Sequence, residues 1–123
     1  MKNAETEWMK DAADELNTAQ YLLGGGYFKA ACYHAQQAVE MHLKARLLAK
    51  GWELEKIHSL ARLCALAADY GITVSLSDAD VSFIDSIYRV RYPGELELIP
   101  LGEPSFEDSK RALEIARKLS LQV

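Results

Sequence analysis

The stretch Tyr27-Phe28-Lys29-Ala30-Ala31-Cys32-Tyr33-His34-Ala35-Gln36-Gln37-Ala38-Val39-Glu40-Met41-His42-Leu43-Lys44-Ala45-Arg46-Leu47-Leu48-Ala49-Lys50 decides the fold. It is the longest uninterrupted helical pattern in the chain. Its 24 residues span about 36 Å at about 1.5 Å per residue. A compact chain of this length has a radius of gyration of about 14 Å, so the helix runs the full length of the domain. Projected at about 100° per residue, Phe28, Ala31, Cys32, Ala35, Ala38, Val39 and Ala49 share one arc. So much alanine there permits close helix–helix approach. The opposite arc carries Tyr33, Gln36, Gln37, Glu40 and Lys44, and Gly51 closes the helix.

The flanking segments have the same period. Upstream, Met9, Ala12, Ala13, Leu16, Ala19 and Leu23 recur at helical spacing, and Gly24-Gly25-Gly26 stops that helix. Downstream, a third helix begins at His58 or Ser59 with Leu60, Leu63, Cys64 and Ala67 facing inward, and Gly71 closes it. Ser77-Asp78-Ala79-Asp80 has capping-box spacing and opens a fourth, striped by Val81, Ile84, Ile87 and Tyr88. Pro93 stops it, and Gly94 to Pro104 reads as a loop apolar enough to pack down. Ser105-Phe106-Glu107-Asp108 caps the last helix, with Ala112, Leu113, Ala116 and Leu119 inward. The prediction is an all-α, antiparallel up-and-down helical bundle of four long helices plus one shorter helix, one domain over residues 1–123.

The whole chain has 123 residues, 50% hydrophobic, with 14 basic and 18 acidic side chains. That balance excludes a disordered chain, and the net charge of −4 argues against a DNA-coating protein. Cys32 and Cys64 lack the spacing of a disulfide scaffold or a zinc site and read as small buried thiols in a reducing cytoplasm. The first residues show no signal-peptide pattern, and no run reaches the ~20 apolar residues needed to cross a bilayer. The expected location is cytoplasmic, away from membranes.

Catalytic motifs are scarce. Gly24-Gly25-Gly26 lacks the Lys-Ser/Thr of a phosphate loop, Glu40-Met41-His42 is one residue short of di-iron spacing, and no nucleophile elbow is present. No metal or cofactor is expected. The most unusual stretch is Tyr88-Arg89-Val90-Arg91-Tyr92-Pro93-Gly94, two arginines and two tyrosines where a helix ends. Arg91 lies on the inward stripe, where its guanidinium calls for a carboxylate, a phosphate, a symmetry mate, or its own helix's C-terminal carbonyls. Gln37, Glu40 and Lys44 read first as a solvated face with one ion pair, and second as a binding surface. Tyr33, Gln36 and Gln37 offer that face flat groups able to stack on and read a base. His42 points into the apolar arc as a core or dimer residue. His34 sits at the arc's margin, and His58 reads as a cap or packing residue ahead of the third helix.

Taken together, these residues resemble a known family. The run Tyr33 to Ala45 resembles the central helix of HEPN domains (higher eukaryotes and prokaryotes nucleotide-binding). So does the order of features around it: Gly-Tyr-Phe-Lys-Ala-Ala before, Leu-Leu-Ala-Lys-Gly after, then His58-Ser59-Leu60 and Arg91-Tyr92-Pro93. The resemblance implies a helical bundle that forms homodimers and works beside a minimal nucleotidyltransferase, often as a toxin–antitoxin module. It also implies a metal-independent ribonuclease motif, Arg-x4-6-His, in many members. Here neither Arg89 nor Arg91 has a histidine downstream, so that motif is not intact. The resulting expectation is a nucleotide or phosphate site formed by Arg91, Arg89, Tyr88, Tyr92, Gln37, Glu40, Lys44, His34 and His58, with RNA as another ligand. A ribonuclease with a displaced histidine, or a purely structural dimerisation module, stands as the alternative.

Overall fold

The computed structural model describes residues 3–91 and 103–122, apart from the side chains of 88–91. The described residues form five helices: α1 (Ala4–Gly24), α2 (Phe28–Ala49), α3 (Leu60–Asp69), α4 (Asp78–Arg91) and α5 (Phe106–Ser120). No strand occurs among the described residues. The expected all-helical bundle of four longer helices and one shorter helix is what forms. The expected Pro93 stop and the packed-down loop fall largely on residues 92–102, which lie outside the described ones.

Helices α2 and α3 end at the glycines that the sequence marks as their stops. After α2, Gly51 adopts φ +94, a left-handed conformation that costs a residue with a Cβ about 1–2 kcal/mol. The amides of Gly51 and Trp52 donate back to the carbonyls of Leu48 and Leu47, which closes the helix as a Schellman motif. Gly71 and Ile72 repeat the arrangement after α3. In both cases the residue after the glycine, Trp52 or Ile72, turns back into the core. Ser105 and Asp108 form the reciprocal capping box foreseen for α5.

Helix α2 packs against all four other helices, most extensively α1 and then α5. Leu43 and Leu47 from α2, Leu60 and Leu63 from α3, Ile84 from α4 and Leu119 from α5 are fully buried around it. The alanines Ala31, Ala35 and Ala38 are buried as the spacing predicts, whereas Ala49 at the helix end is exposed. The prediction of an exposed polar arc is corrected: Gln36, Glu40 and Lys44 are buried. Neighbouring helices cover the side of α2 that carries these three residues, while Tyr33 and Gln37 on the same arc stay partly exposed.

Candidate functional site

Gln36, Glu40 and Lys44 succeed one another at i, i+4 and i+8, so their side chains stack along one line of α2. Glu40 is the centre of the group. Its Oε1 accepts a hydrogen bond from Gln36 Nε2 at 3.2 Å, and its Oε2 accepts one from Lys44 Nζ at 2.9 Å. His58 Nδ1 stands 3.3 Å from both carboxylate oxygens. Lys44 Nζ also lies 5.5 Å from the centre of the Trp8 ring on α1, a cation–π contact. Two buried charges of opposite sign are tolerable only with this density of partners, because their desolvation is costly. The side chain of His58 is 44% exposed, against 6% for Glu40 and 4% for Lys44. His58 is therefore where the buried group meets solvent. Glu40 and Lys44 act through it and do not present a surface of their own.

The position of His58 is fixed by the start of α3. Ser59 caps the helix by accepting from the Arg62 amide at 3.2 Å. Asp85, from the middle of α4, accepts from the amides of Leu60 and Ala61. The first three amides of α3 are thus all paired, two of them through a carboxylate that also suits the positive end of the helix dipole. Helix α4 continues six residues beyond Asp85 to Arg91, about 9 Å of helix rise. In register, positions 88 and 91 continue the line of Ile84 and Ile87, both buried. The side chains of Tyr88, Arg89 and Arg91, and all of Tyr92, lie outside the described residues.

His34 does not join this group. Its Nδ1 pairs with Glu15 Oε2 of α1, and its ring meets Tyr33 edge-on at 5.2 Å. Residues 34 and 40 sit about 240° apart around the helix, so they face different neighbours. Gln37 is half-buried. His42 is buried, as its place in the apolar arc implies, and its Nε2 has no hydrogen-bond partner among the described residues. Burial, with the charge of Arg46 adding to it, pushes its imidazole down to about 4. The free thiols offer no nucleophile at neutral pH. Burial first, and then Asp108, pushes Cys32 up to about 12; burial and then Asp85 pushes Cys64 up to about 11. Among the described residues no cluster of His, Cys, Asp or Glu could hold a metal ion, and no helix is long and apolar enough to cross a membrane.

Sequence reasoning missed Trp8, Glu15 and Asp85. Each acts on a residue far away in the chain, so no local spacing marks it. Asp85 alone carried a sequence signal, as a carboxylate between the apolar positions Ile84 and Ile87 of α4.

Solved structures place this arrangement among known proteins. Over 97% of the chain, the fold superposes on 93% of ST0689, an archaeal HEPN homologue, with a TM-score of 0.70 and 22% identity. It superposes on 94% of TT1696 from Thermus thermophilus with a TM-score of 0.72 and 28% identity, again over 97% of the chain. No curated protein matches it. The HEPN domain family model matches residues 6–121, nearly everything from the first turns of α1 to the end of α5, and the chain therefore belongs to the HEPN domain family.

Proposed function

We propose that this HEPN-domain protein binds a nucleotide or other phosphate-bearing ligand beside His58 and the end of α4. We further propose that it does so as a homodimer partnering a minimal nucleotidyltransferase in a toxin–antitoxin module. One observation carries the reading. Glu40 holds a half-exposed imidazole at the head of α3, and α3 is itself pinned to α4 about 9 Å of helix rise before Arg91. Arg89 and Arg91 supply the cations that phosphate recognition needs, and Tyr88 and Tyr92 supply rings on which a base can stack. Gln36 and Lys44 serve by keeping Glu40 in place. Membership of the HEPN family supports the partner and the dimer as part of the same reading. Calorimetric titration of the purified protein with nucleotides, and with a minimal nucleotidyltransferase, tests both parts. Arg91→Ala and His58→Ala should each weaken nucleotide binding about tenfold or more, the value of one charge-assisted contact. Identical responses from wild type and both variants would sink the reading.

The Glu40–His58 contact also favours a second reading, a metal-independent ribonuclease whose histidine comes from ahead of α3. A carboxylate on one ring nitrogen fixes the tautomer and orientation that proton transfer by the other requires. In that case RNA is cut in the presence of a chelator, leaving cyclic phosphate ends, and His58→Ala abolishes the cut.

A further inference from the structure

The segment Ile72-Thr73-Val74-Ser75-Leu76-Ser77, between α3 and α4, belongs to no helix and takes no part in the proposed nucleotide site. Its burial alternates residue by residue. Ile72 is buried, Val74 and Leu76 are half-buried against the core, and Thr73, Ser75 and Ser77 are exposed. That period of two marks an extended strand. The Gln122 carboxamide, just past α5, pairs with it as a neighbouring strand would. The Ser75 amide donates to Gln122 Oε1 at 2.9 Å, and the Ser75 carbonyl accepts from Gln122 Nε2 at 3.1 Å. In an extended chain the amides and carbonyls of Val74 and Leu76 point the opposite way from those of Ser75. None of these four groups has a partner among the described residues. Backbone groups left unpaired by the protein belong at water. One edge of the segment is thus held by Gln122, and the other stands open.

We infer that this open edge pairs with the same edge of a second copy, antiparallel about a two-fold axis at Ser75. The inference rests on the homodimer proposed above and names its surface. The sequence of the segment fits itself. With Ser75 opposite Ser75, Val74 of each copy exchanges both backbone bonds with Leu76 of the other, which satisfies every open group. The same register sets Val74 against Leu76 on the core-facing side, beside a cavity of about 220 Å³ lined by Cys64, Ala68 and Val81. Thr73 falls opposite Ser77, a hydroxyl pair on the solvent side. Edges that must stay alone are usually blunted by charged residues or proline, and residues 72–77 contain neither. A foreign peptide would have to supply this pattern, whereas a second copy already carries it.

Sedimentation equilibrium of the full chain over a concentration series should show a monomer–dimer equilibrium. Hydrogen exchange of the Val74 and Leu76 amides should slow as protein concentration rises, while that of Ser75, already held by Gln122, stays constant. Ser75→Lys and Ser75→Glu change an exposed side chain, keep the backbone bonds to Gln122, and set like charges opposite each other on the axis. Each should weaken dimerisation about tenfold or more, and an equimolar mixture of the two should dimerise again. A dimer that both variants form as tightly as wild type would overturn the edge assignment and leave the homodimer to another face. So would Val74 and Leu76 exchange that ignores concentration, or weakened variants whose mixture fails to recover. A wild type that stays monomeric throughout would overturn the edge and the homodimer together. Uptake of a blocked Thr-Val-Thr-Val-Thr peptide by that monomer would then reassign the edge to a foreign chain.

Discussion

His42 shows how far one side chain's chemistry depends on what covers it. Its imidazole is pushed down to about 4 from an ordinary value of 6.5 by burial, helped by Arg46. The folded protein therefore keeps the ring neutral at a pH where the unfolded chain would protonate it. Between pH 6.5 and 4 the unfolded state binds more protons, so stability falls as the pH drops through that window. Above it, the ring is neutral in both states and contributes no pH dependence. A displacement of this size corresponds to a loss on the order of 3 kcal/mol once the pH reaches the folded value. Urea unfolding of wild type and His42→Leu at several pH values across the window checks this. The variant should lose much of the acid sensitivity, whereas equal slopes would assign it to the carboxylates. The burial of His42 was legible from its place in the apolar arc. The missing partner on Nε2 was not, because it depends on residues of α1 and α5 that no spacing within α2 reveals.

Among the elements, α3 depends most on help from outside itself. Ten residues make a helix that is marginal alone, and its opening amides are held by Ser59 and by Asp85 from α4. Asp85→Ala removes two hydrogen bonds and a favourable charge at a helix N-terminus. It should cost about 1–2 kcal/mol in thermal or urea unfolding. Amide exchange of Leu60 and Ala61 should quicken in the same variant, and unchanged exchange there would show that Asp85 does not protect them. Local caps are readable because cap and capped amide are three residues apart, although at α3 the cap is Ser59 and not His58, which turns to Glu40 instead. The capping box of Ser105 and Asp108 formed as read. Ser77 likewise accepts from the Asp80 amide, while the Asp80 carboxylate pairs with Arg111 of α5. Asp85 works across 24 or 25 residues, beyond the reach of any cap pattern. The polar line of α2 was misread for a related reason. Periodicity says which residues share a face, but how many neighbours cover that face is decided by the packing of all five helices.

At the scale of the whole molecule, the Glu40–Lys44 pair lies inside the helix that every other helix touches. Hydrophobic burial explains why such a bundle forms, but it does not explain why two charges sit within it. If the pair served stability alone, apolar residues of similar size would serve as well, since desolvation offsets most of the attraction between buried ions. Its geometry points instead to His58, the half-exposed group that the Glu40 carboxylate holds. That argument has a measurable form. Glu40→Gln leaves Lys44 buried without its counter-charge, and Lys44→Met leaves Glu40 likewise, so each single change should cost about 3–5 kcal/mol. The double variant removes both charges and should recover most of that loss, giving a coupling of a few kcal/mol in a double-mutant cycle of urea unfolding. Restored stability would not restore the site, because His58 would still lack its carboxylate. NMR of the double variant should then show a folded protein in which the His58 resonances have moved and nucleotide binding is weakened. Simple additivity of the two single costs would instead show that Glu40 and Lys44 are held separately, the carboxylate by Gln36 and His58 and the ammonium by Trp8.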